Sequence, residues 1–389
     1  MSDAQRPLEI AVAIMGTEGF GVLSFLLNQW AHASDAHLNF RYLALNDGRC
    51  AAALREAGAP VTIVGGGAPQ TFPGNPLMLP IMWLRSSGAM RAAVRGLRAE
   101  LIRLQPDIVY SHSHYLHVLC GRARRGLSCR GVGQMHGLVN VARLFGLQRQ
   151  FVCRVLARHL DLAITISDTT HQALAPVLRR RARRVYNGVD VKAIEAQTAG
   201  VKKTPGKLVI VGRLVPRKRQ HIALHAVALL RDRGRTCTLE IIGGPLDDAN
   251  PYYLELRRIA AELAITDRVR FAGVVSPPHA EVASAELAIG CDSGEPFGLV
   301  VVEAAAAGTA VVVPDRGGMS ELVEHGATGW HYAADDPQAL ADAIDTLLDD
   351  APLRERLVQA GRKAAIERFD IASHMRELRA AFEQVLAAG

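Results

Sequence analysis

Lysine is missing from the first 190 residues of this 389-residue chain, whose positive charge there rests on 22 arginines. Against 11 Asp and Glu they give +11; the remainder holds 23 Lys and Arg against 27 acids, −4, and the two sum to +7. A basic half beside an acidic one points to an anionic partner for the first, either a phosphate or a membrane surface, or serves solubility alone. Aromatic residues are scarce at 5%. The run Arg179-Arg180-Arg181-Ala182-Arg183-Arg184 has none interleaved and no nucleic-acid motif accompanies it, which sets nucleic acid aside as a partner. The six cysteines, Cys50, Cys120, Cys129, Cys153, Cys237 and Cys291, show no C-x-x-C spacing. They make neither a disulfide framework nor a zinc site, and read as buried thiols of a reducing cytoplasm. Residues 57–84 carry no charge, yet Pro60, Pro69, Pro73, Pro76 and Pro80 would leave backbone groups unpaired in lipid, which argues against a membrane span. Met1–Pro7 is polar and does not read as a secretory leader. The expected location is cytoplasmic, with the basic half open to peripheral contact at the inner face of the cytoplasmic membrane.

At 389 residues and 49% hydrophobic, the chain predicts two domains with sizeable cores. Strand-like apolar runs in the first half are Glu9–Met15, Leu38–Leu45, Val61–Val64, Asp107–Ser111, Gly131–Met135 and Leu162–Ile166. The second half repeats the rhythm at Lys207–Val211, Thr238–Ile242, Val269–Ala272, Leu287–Cys291, Ala310–Pro314 and Trp330–Tyr332. Such runs separated by helical stretches mean parallel sheets covered on both faces, hence two doubly wound α/β domains. Turn signals at Asn187-Gly188 and Thr204-Pro205-Gly206 divide the chain into a first domain over 1–186, a linker over 187–206 and a second domain over 207–370. A terminal helix over 371–389 packs on its own domain or crosses back to the first. Ligands of such folds lie beyond the carboxyl ends of the strands, so the expected site is the cleft between two domains.

The most informative stretch is Cys291-Asp-Ser-Gly-Glu295-Pro-Phe-Gly-Leu-Val-Val-Val-Glu303. A strand runs into a turn, and a helix is expected from near Phe297. Gly298, lacking a Cβ, would let a phosphate approach the free amides of that helix. Continued through eight helical residues, Glu295 and Glu303 fall on roughly the same face, suited to two hydroxyl-bearing parts of one ligand. Glu303 sits among Val300–Val302 and Ala304–Ala307, where a carboxylate needs a partner.

Glu295-x7-Glu303, with Gly317-Gly318-x-x-Glu321 downstream, closely resembles the retaining glycosyltransferases of family 4, with their GT-B fold of two Rossmann-like domains. The resemblance extends to Val211-Gly212-Arg213-Leu-Val-Pro-Arg-Lys218, Ile242-Gly243-Gly244-Pro245 and Asn187-Gly188-Val189-Asp190, and more weakly to Gly16-Thr-Glu-Gly19-Phe-Gly21. It implies a second domain that binds a nucleotide-diphosphate sugar, UDP- or GDP-linked, and a first that binds a hydroxyl acceptor such as a glycan, glycolipid or small metabolite, anionic or lipid-linked. Arg213 and Lys218 would hold the diphosphate, Glu295 the sugar hydroxyls and Glu303 the ribose, with Gly243, Phe297, Gly298 and Leu299 lining the donor. His136, in a His-Gly at a strand end, would approach the sugar, and Glu295, His136, Arg213 and Lys218 are the expected catalytic set. Gly19 and Gly21 would offer amides to the phosphates or the acceptor, or form a plain turn; Phe20 interrupts the paired glycines usual there. Two cations and helix amides neutralise a leaving diphosphate without a metal. The absence of any D-x-D fits such a site, so neither metal nor cofactor is expected.

Other readings stay open. An inverting transferase needs a first-domain base, for which Glu18 and His112 are the candidates. A sugar-nucleotide binder without turnover would carry the same residues. An NAD dehydrogenase is disfavoured, because Asp47, the first acid after the second strand, lies 28 residues beyond Gly19 where about 20 is expected. His112, His114 and His117 could gather a metal, contact a ligand or be structural. The apolar stretch 67–90, with Phe72, Leu77, Met78 and Trp83, reads as a buried loop, or as one that dips into a bilayer or holds a lipid-like acceptor.

Overall fold

The computed structural model describes residues 6–66, 79–139, 147–247 and 249–388, with the backbone alone for residues 20, 79–87 and 147. The apolar stretch 67–90 therefore falls largely outside the described residues. The chain divides into two units, one of Met1–Gly188 with Ile371–Gly389, the other of Val189–Asp370.

The first unit is a seven-stranded parallel sheet of β1 (Leu8–Ile14), β2 (Leu38–Ala44), β3 (Val61–Ile63), β4 (Ile108–Ser111), β5 (Arg130–Met135), β6 (Leu162–Thr165) and β7 (Ala182–Arg184), ordered β3-β2-β1-β4-β5-β6-β7. Side chains alternate across a strand, so β1 serves two cores. Ile10, Val12 and Ile14 enter one with Phe25, Tyr110 and Phe382; Ala11 and Ala13 enter the other with Leu97 and Leu116. Strand β7 lies inside the arginine run 179–184. It is a three-residue edge strand, and arginines on an edge block further pairing.

The terminal helix Ile371–Ala387 belongs to this unit, burying Ile371, Met375, Leu378, Phe382 and Val385 at helical spacing in the first core. Arg379, also buried, clamps it by donating to the carbonyls of Ala36 (3.1 Å) and His37 (2.8 Å). A Cβ on Gly188 would meet Ile371 Cα at 2.8 Å and His374 Cβ at 2.7 Å, so the outgoing and returning chain run close together.

The second unit holds a six-stranded parallel sheet of β8 (Lys207–Val211), β9 (Thr238–Ile242), β10 (Val269–Gly273), β11 (Leu287–Ile289), β12 (Ala310–Pro314) and β13 (Trp330–Tyr332), ordered β10-β9-β8-β11-β12-β13. Sequence order reverses between β8 and β11, as it does between β1 and β4 in the first unit. Residues 187–206 are not a free linker. They contain the helix Val191–Thr198, capped by Asp190, whose Oδ1 accepts from Ala193 N at 2.9 Å. Lys203 fastens the segment to the second unit through Ala285 O (2.8 Å) and Thr309 Oγ1 (2.9 Å).

Phe382→Ala should destabilise the first unit by roughly 3–5 kcal/mol, because a fully buried ring leaves a cavity. Urea denaturation followed by circular dichroism should show the lower midpoint; an unchanged midpoint would mean that the helix does not complete that core.

Candidate active site

Within the second unit, the loops after β8 and β11 meet where the sheet order reverses, the usual ligand position of such a sheet. After β8, Pro216–Lys218 form one short turn, and Gln220 Nε2 pins the loop by donating to Arg213 O at 3.0 Å. After β11, Asp292 Oδ1 accepts from Gly294 N at 3.0 Å, and Gly318 N donates to Glu295 O at 2.7 Å. A Cβ on Gly317 would lie 2.6 Å from Ser293 O, and one on Gly318 would lie 2.2 Å from Pro296 O. Those two glycines let the following segment close onto the backbone that carries Glu295. Gly243 is equally steric: its Cβ would fall 1.9 Å from Gly212 O, where the loops after β8 and β9 touch.

The structure brings Lys218 and Glu295 together as an ion pair, Nζ to Oε2. Arg217 NH1 lies 2.7 Å from Asp292 Oδ2 and 3.3 Å from Glu295 Oε2, and Lys218 Nζ lies 3.7 Å from Asp292 Oδ2. Burial works against ionisation of Glu295, but the ammonium of Lys218 and the other neighbours hold its carboxyl below the usual range. Asp292 goes the other way, raised first by burial and then by the neighbouring Glu295. Beside this cluster, Arg219 reaches Ser293 Oγ (2.5 Å) and Asp335, which also takes Arg316 at 2.6 Å. Arg213 is exposed, and its guanidinium has no ion pair or hydrogen bond among the described residues.

The helix beyond Glu295 runs over Leu299–Ala306, with Gly298 at its N-cap, φ 104°, and no side-chain cap. Glu295 therefore lies outside it, and the common-face argument for Glu295 and Glu303 fails, because the left-handed glycine breaks the helical count. A Cβ on Gly298 would meet Met319 Cγ at 2.8 Å, so that residue must also be small for packing reasons. By helix geometry the first-turn amides of Leu299 and Val300 have no intrahelical acceptor. Phe297 is 2% exposed and stacks edge-on against Phe369, leaving only its backbone to meet a ligand. Glu303 is half-buried and its carboxyl makes no hydrogen bond or ion pair among the described residues; burial pushes it up to about 7.

The first unit collects imidazoles. His112 follows β4 and His136 follows β5; their rings stack at 5.2 Å, with Nδ1 of His112 2.9 Å from Nε2 of His136. Phe25 sets its ring against both, and against His374 of the terminal helix. Burial lowers all three, His136 and His374 to about 4, so at neutral pH they are uncharged. His117 turns instead to Ser111 Oγ at 2.7 Å. Among the described residues no three His, Cys, Asp or Glu side chains converge as metal ligands.

Glu18, a candidate base, has its carboxylate on the backbone amides of Met15 and Gly16 (2.9 Å to the latter), capping its own loop. Gly19 is the N-cap of the helix Phe20–Ala31, and a Cβ on Gly19 or Gly21 would meet nothing within 4 Å. Neither glycine is demanded by packing. Sequence reasoning missed Asp292, Arg217, Phe25 and His374. Asp292 stood in the quoted motif, but nothing in one dimension showed it turned inward beneath Glu295.

No described helix is long and apolar enough to cross a membrane. Residues 191–364 match the family described as Glycosyl transferases group 1, and residues 49–193 match Glycosyltransferase Family 4. The chain is 32% identical over 248 residues to a phosphatidyl-myo-inositol mannosyltransferase of Mycobacterium tuberculosis, covering 62% of this chain and 64% of that relative. It is 37% identical over 176 residues to a D-inositol 3-phosphate glycosyltransferase of Nocardia farcinica, covering 43% of this chain and 38% of the other. The matches thus span less than two thirds of either relative. Among solved structures, Anabaena HepE in complex with UDP and glucose superposes with a TM-score of 0.78 at 20% identity, covering 97% of this chain and 99% of that one. Sucrose-phosphate synthase from Thermosynechococcus elongatus gives 0.75 at 19% identity, covering 98% and 99%. At that identity the likeness shows the fold, which is GT-B.

The raised carboxyl of Glu303 has a consequence for stability. Its folded value, about 7, lies above the unfolded 4.5, so the folded protein binds the extra proton and stability from this group falls as pH rises from about 4.5 to about 7. Thermal unfolding of Glu303→Gln should lack that part of the pH dependence. Near pH 8 it should exceed the wild type by about 1–3 kcal/mol, and parallel pH curves would refute the buried carboxyl.

Proposed function

The chain belongs to the glycosyl transferases of group 1 and family 4, and from that premise we propose that it moves a sugar from a nucleotide diphosphate to a hydroxyl acceptor with retention of anomeric configuration. The observation that carries this is the unpartnered Glu303 carboxyl, on the helix beyond the Lys218–Glu295 pair where the sheet order reverses. A half-buried acceptor without a donor among the described residues is poised for a ligand that brings two hydroxyls, such as a ribose diol.

Arg213 and Lys218 take the diphosphate, with the amides of Leu299 and Val300 adding a helix N-terminus. These donors neutralise the leaving group without a metal, so no metal or cofactor is assigned. Glu295, released from Lys218, accepts the sugar hydroxyls. Transfer runs on the front face of the sugar. The bond to the departing phosphate breaks as the acceptor oxygen bonds to the anomeric carbon, and that phosphate oxygen takes the acceptor's proton. No protein base is needed, which leaves Glu18 free to cap its loop.

For the acceptor we infer a phosphorylated hydroxyl compound, free or lipid-linked. The arginine-rich first domain, at +11 over residues 1–190, supplies the countercharge, and both relatives named above carry phosphorylated inositol in their names. The six free, buried cysteines support a cytoplasmic location, and the same charge supports peripheral contact with an anionic membrane.

The first experiment is a thermal-shift screen with UDP, GDP, ADP, CDP and NAD in the presence of chelator. A ligand at a hundred times its dissociation constant adds about 2.7 kcal/mol. One nucleoside diphosphate should stand out and fix the donor panel; a shift with NAD alone would overturn the assignment. Turnover of the matching sugar nucleotide should survive chelator and give retained anomeric configuration by NMR. An inverted product would instead require a first-domain base, and binding without turnover a silent sensor. Glu303→Ala should weaken nucleotide binding by roughly 1.5–3 kcal/mol, and equal affinity would remove Glu303 from the site.

A further inference from the structure

Four charged groups crowd the junction of the β8 and β11 loops: Arg217 and Lys218 from one, Asp292 and Glu295 from the other. Without ligand the two cations balance the two carboxylates. The balance is tight, because Asp292 is only 2% exposed as a side chain and cannot shed charge into water. Its Oδ1 is spent on the Gly294 amide. Its Oδ2 is near Arg217 and Lys218 yet forms no hydrogen bond, since Arg217 approaches without alignment. Of the other groups around it, the Cys291 thiol is pushed up to about 12 by burial and stays neutral, while Arg219 is committed to Ser293 and Asp335.

We propose that Asp292 is a positioning residue that takes up a proton from solvent when a sugar nucleotide draws Lys218 onto its diphosphate, and returns it when the nucleotide leaves. The inference rests on the donor-site reading above. A sugar diphosphate brings two negative charges to Arg213 and Lys218, making four negative charges with Asp292 and Glu295 against three cations with Arg217. One proton on Asp292 Oδ2 restores neutrality, and no other bond changes. Asp292 receives it rather than Glu295, because Glu295 stays ionised to accept sugar hydroxyls and Asp292 is the more deeply buried of the two. The carboxyls lie within hydrogen-bond reach, so a protonated Asp292 donates to Glu295 and holds it in place once Lys218 has moved. Loss of that proton afterwards restores the charge that expels the spent nucleotide.

The test is isothermal titration calorimetry with UDP-glucose and GDP-mannose, whose diphosphates do not titrate near neutrality, near pH 6.5 in buffers of different ionisation enthalpy. The wild type should take up about half to one proton more than Asp292→Asn, with affinities within about tenfold. Any proton released by Glu303 is common to both and cancels in the difference. In Glu303→Gln, where that release is absent, net uptake should be positive; this readout serves even if Asp292→Asn does not fold. Equal proton counts, or zero uptake in Glu303→Gln, would overturn the proposal with the donor site intact. Failure of both, and of the ADP- and CDP-linked sugars as well, to bind would overturn the donor-site reading, and this proposal with it.

Discussion

The ion pair between Lys218 and Glu295 is the contact on which the second unit's site depends. It joins the loop after β8 to the loop after β11 at the one place in the sheet where neighbouring strands send their connections opposite ways. Both side chains are mostly withdrawn from water, so either left alone would be far costlier than an exposed charge. The surrounding geometry follows from keeping them together. Gly317 and Gly318 admit backbone against Ser293 and Pro296, and Gly318 N fixes the Glu295 carbonyl. Gly298 then turns the chain so that the next helix presents bare amides beside the pair.

The two units solve one steric problem in one way. In the first, a Cβ on Gly16 would sit 1.9 Å from Asn46 O; in the second, a Cβ on Gly243 would sit 1.9 Å from Gly212 O. Each time the loops leaving two adjacent parallel strands touch through backbone. Their chemistry then diverges. The second unit keeps its charges and balances them, while the first buries imidazoles that stay neutral and fills its first glycine loop with the carboxylate of Glu18.

Most strands were legible because continuous Val, Ile and Leu runs have few other uses in a chain of this composition. Strand β7 was not, since an edge strand needs no apolar run and its arginines look like surface. The helix Val191–Thr198 hid behind turn residues that cap it instead of interrupting the chain: Asp190 is its N-cap, and Gly188 permits a close crossing. At the candidate site, Glu295 and Glu303 were singled out by their turn-and-helix setting, and Arg213 and Lys218 by the family resemblance. Their pairing could not be read, because spacing along one loop says nothing of which cation from another loop reaches it. The same limit hid Asp292, and it hid His374, which lies 238 residues from His136 although both pack on Phe25.

The return of the terminal helix to the first unit sets an order of events on the ribosome. Domains ordinarily fold as they emerge, the amino-terminal one first. Here the first core lacks Phe382, Leu378 and Met375 until the ribosome has passed them, after the whole of Val189–Asp370 has appeared. At roughly 5–20 residues per second those 182 residues take roughly 10–40 s, during which the apolar groove of the first sheet stands open. The first unit is begun before the second and completed after it, and its half-built face is what the nascent chain exposes to the folding machinery of the cell.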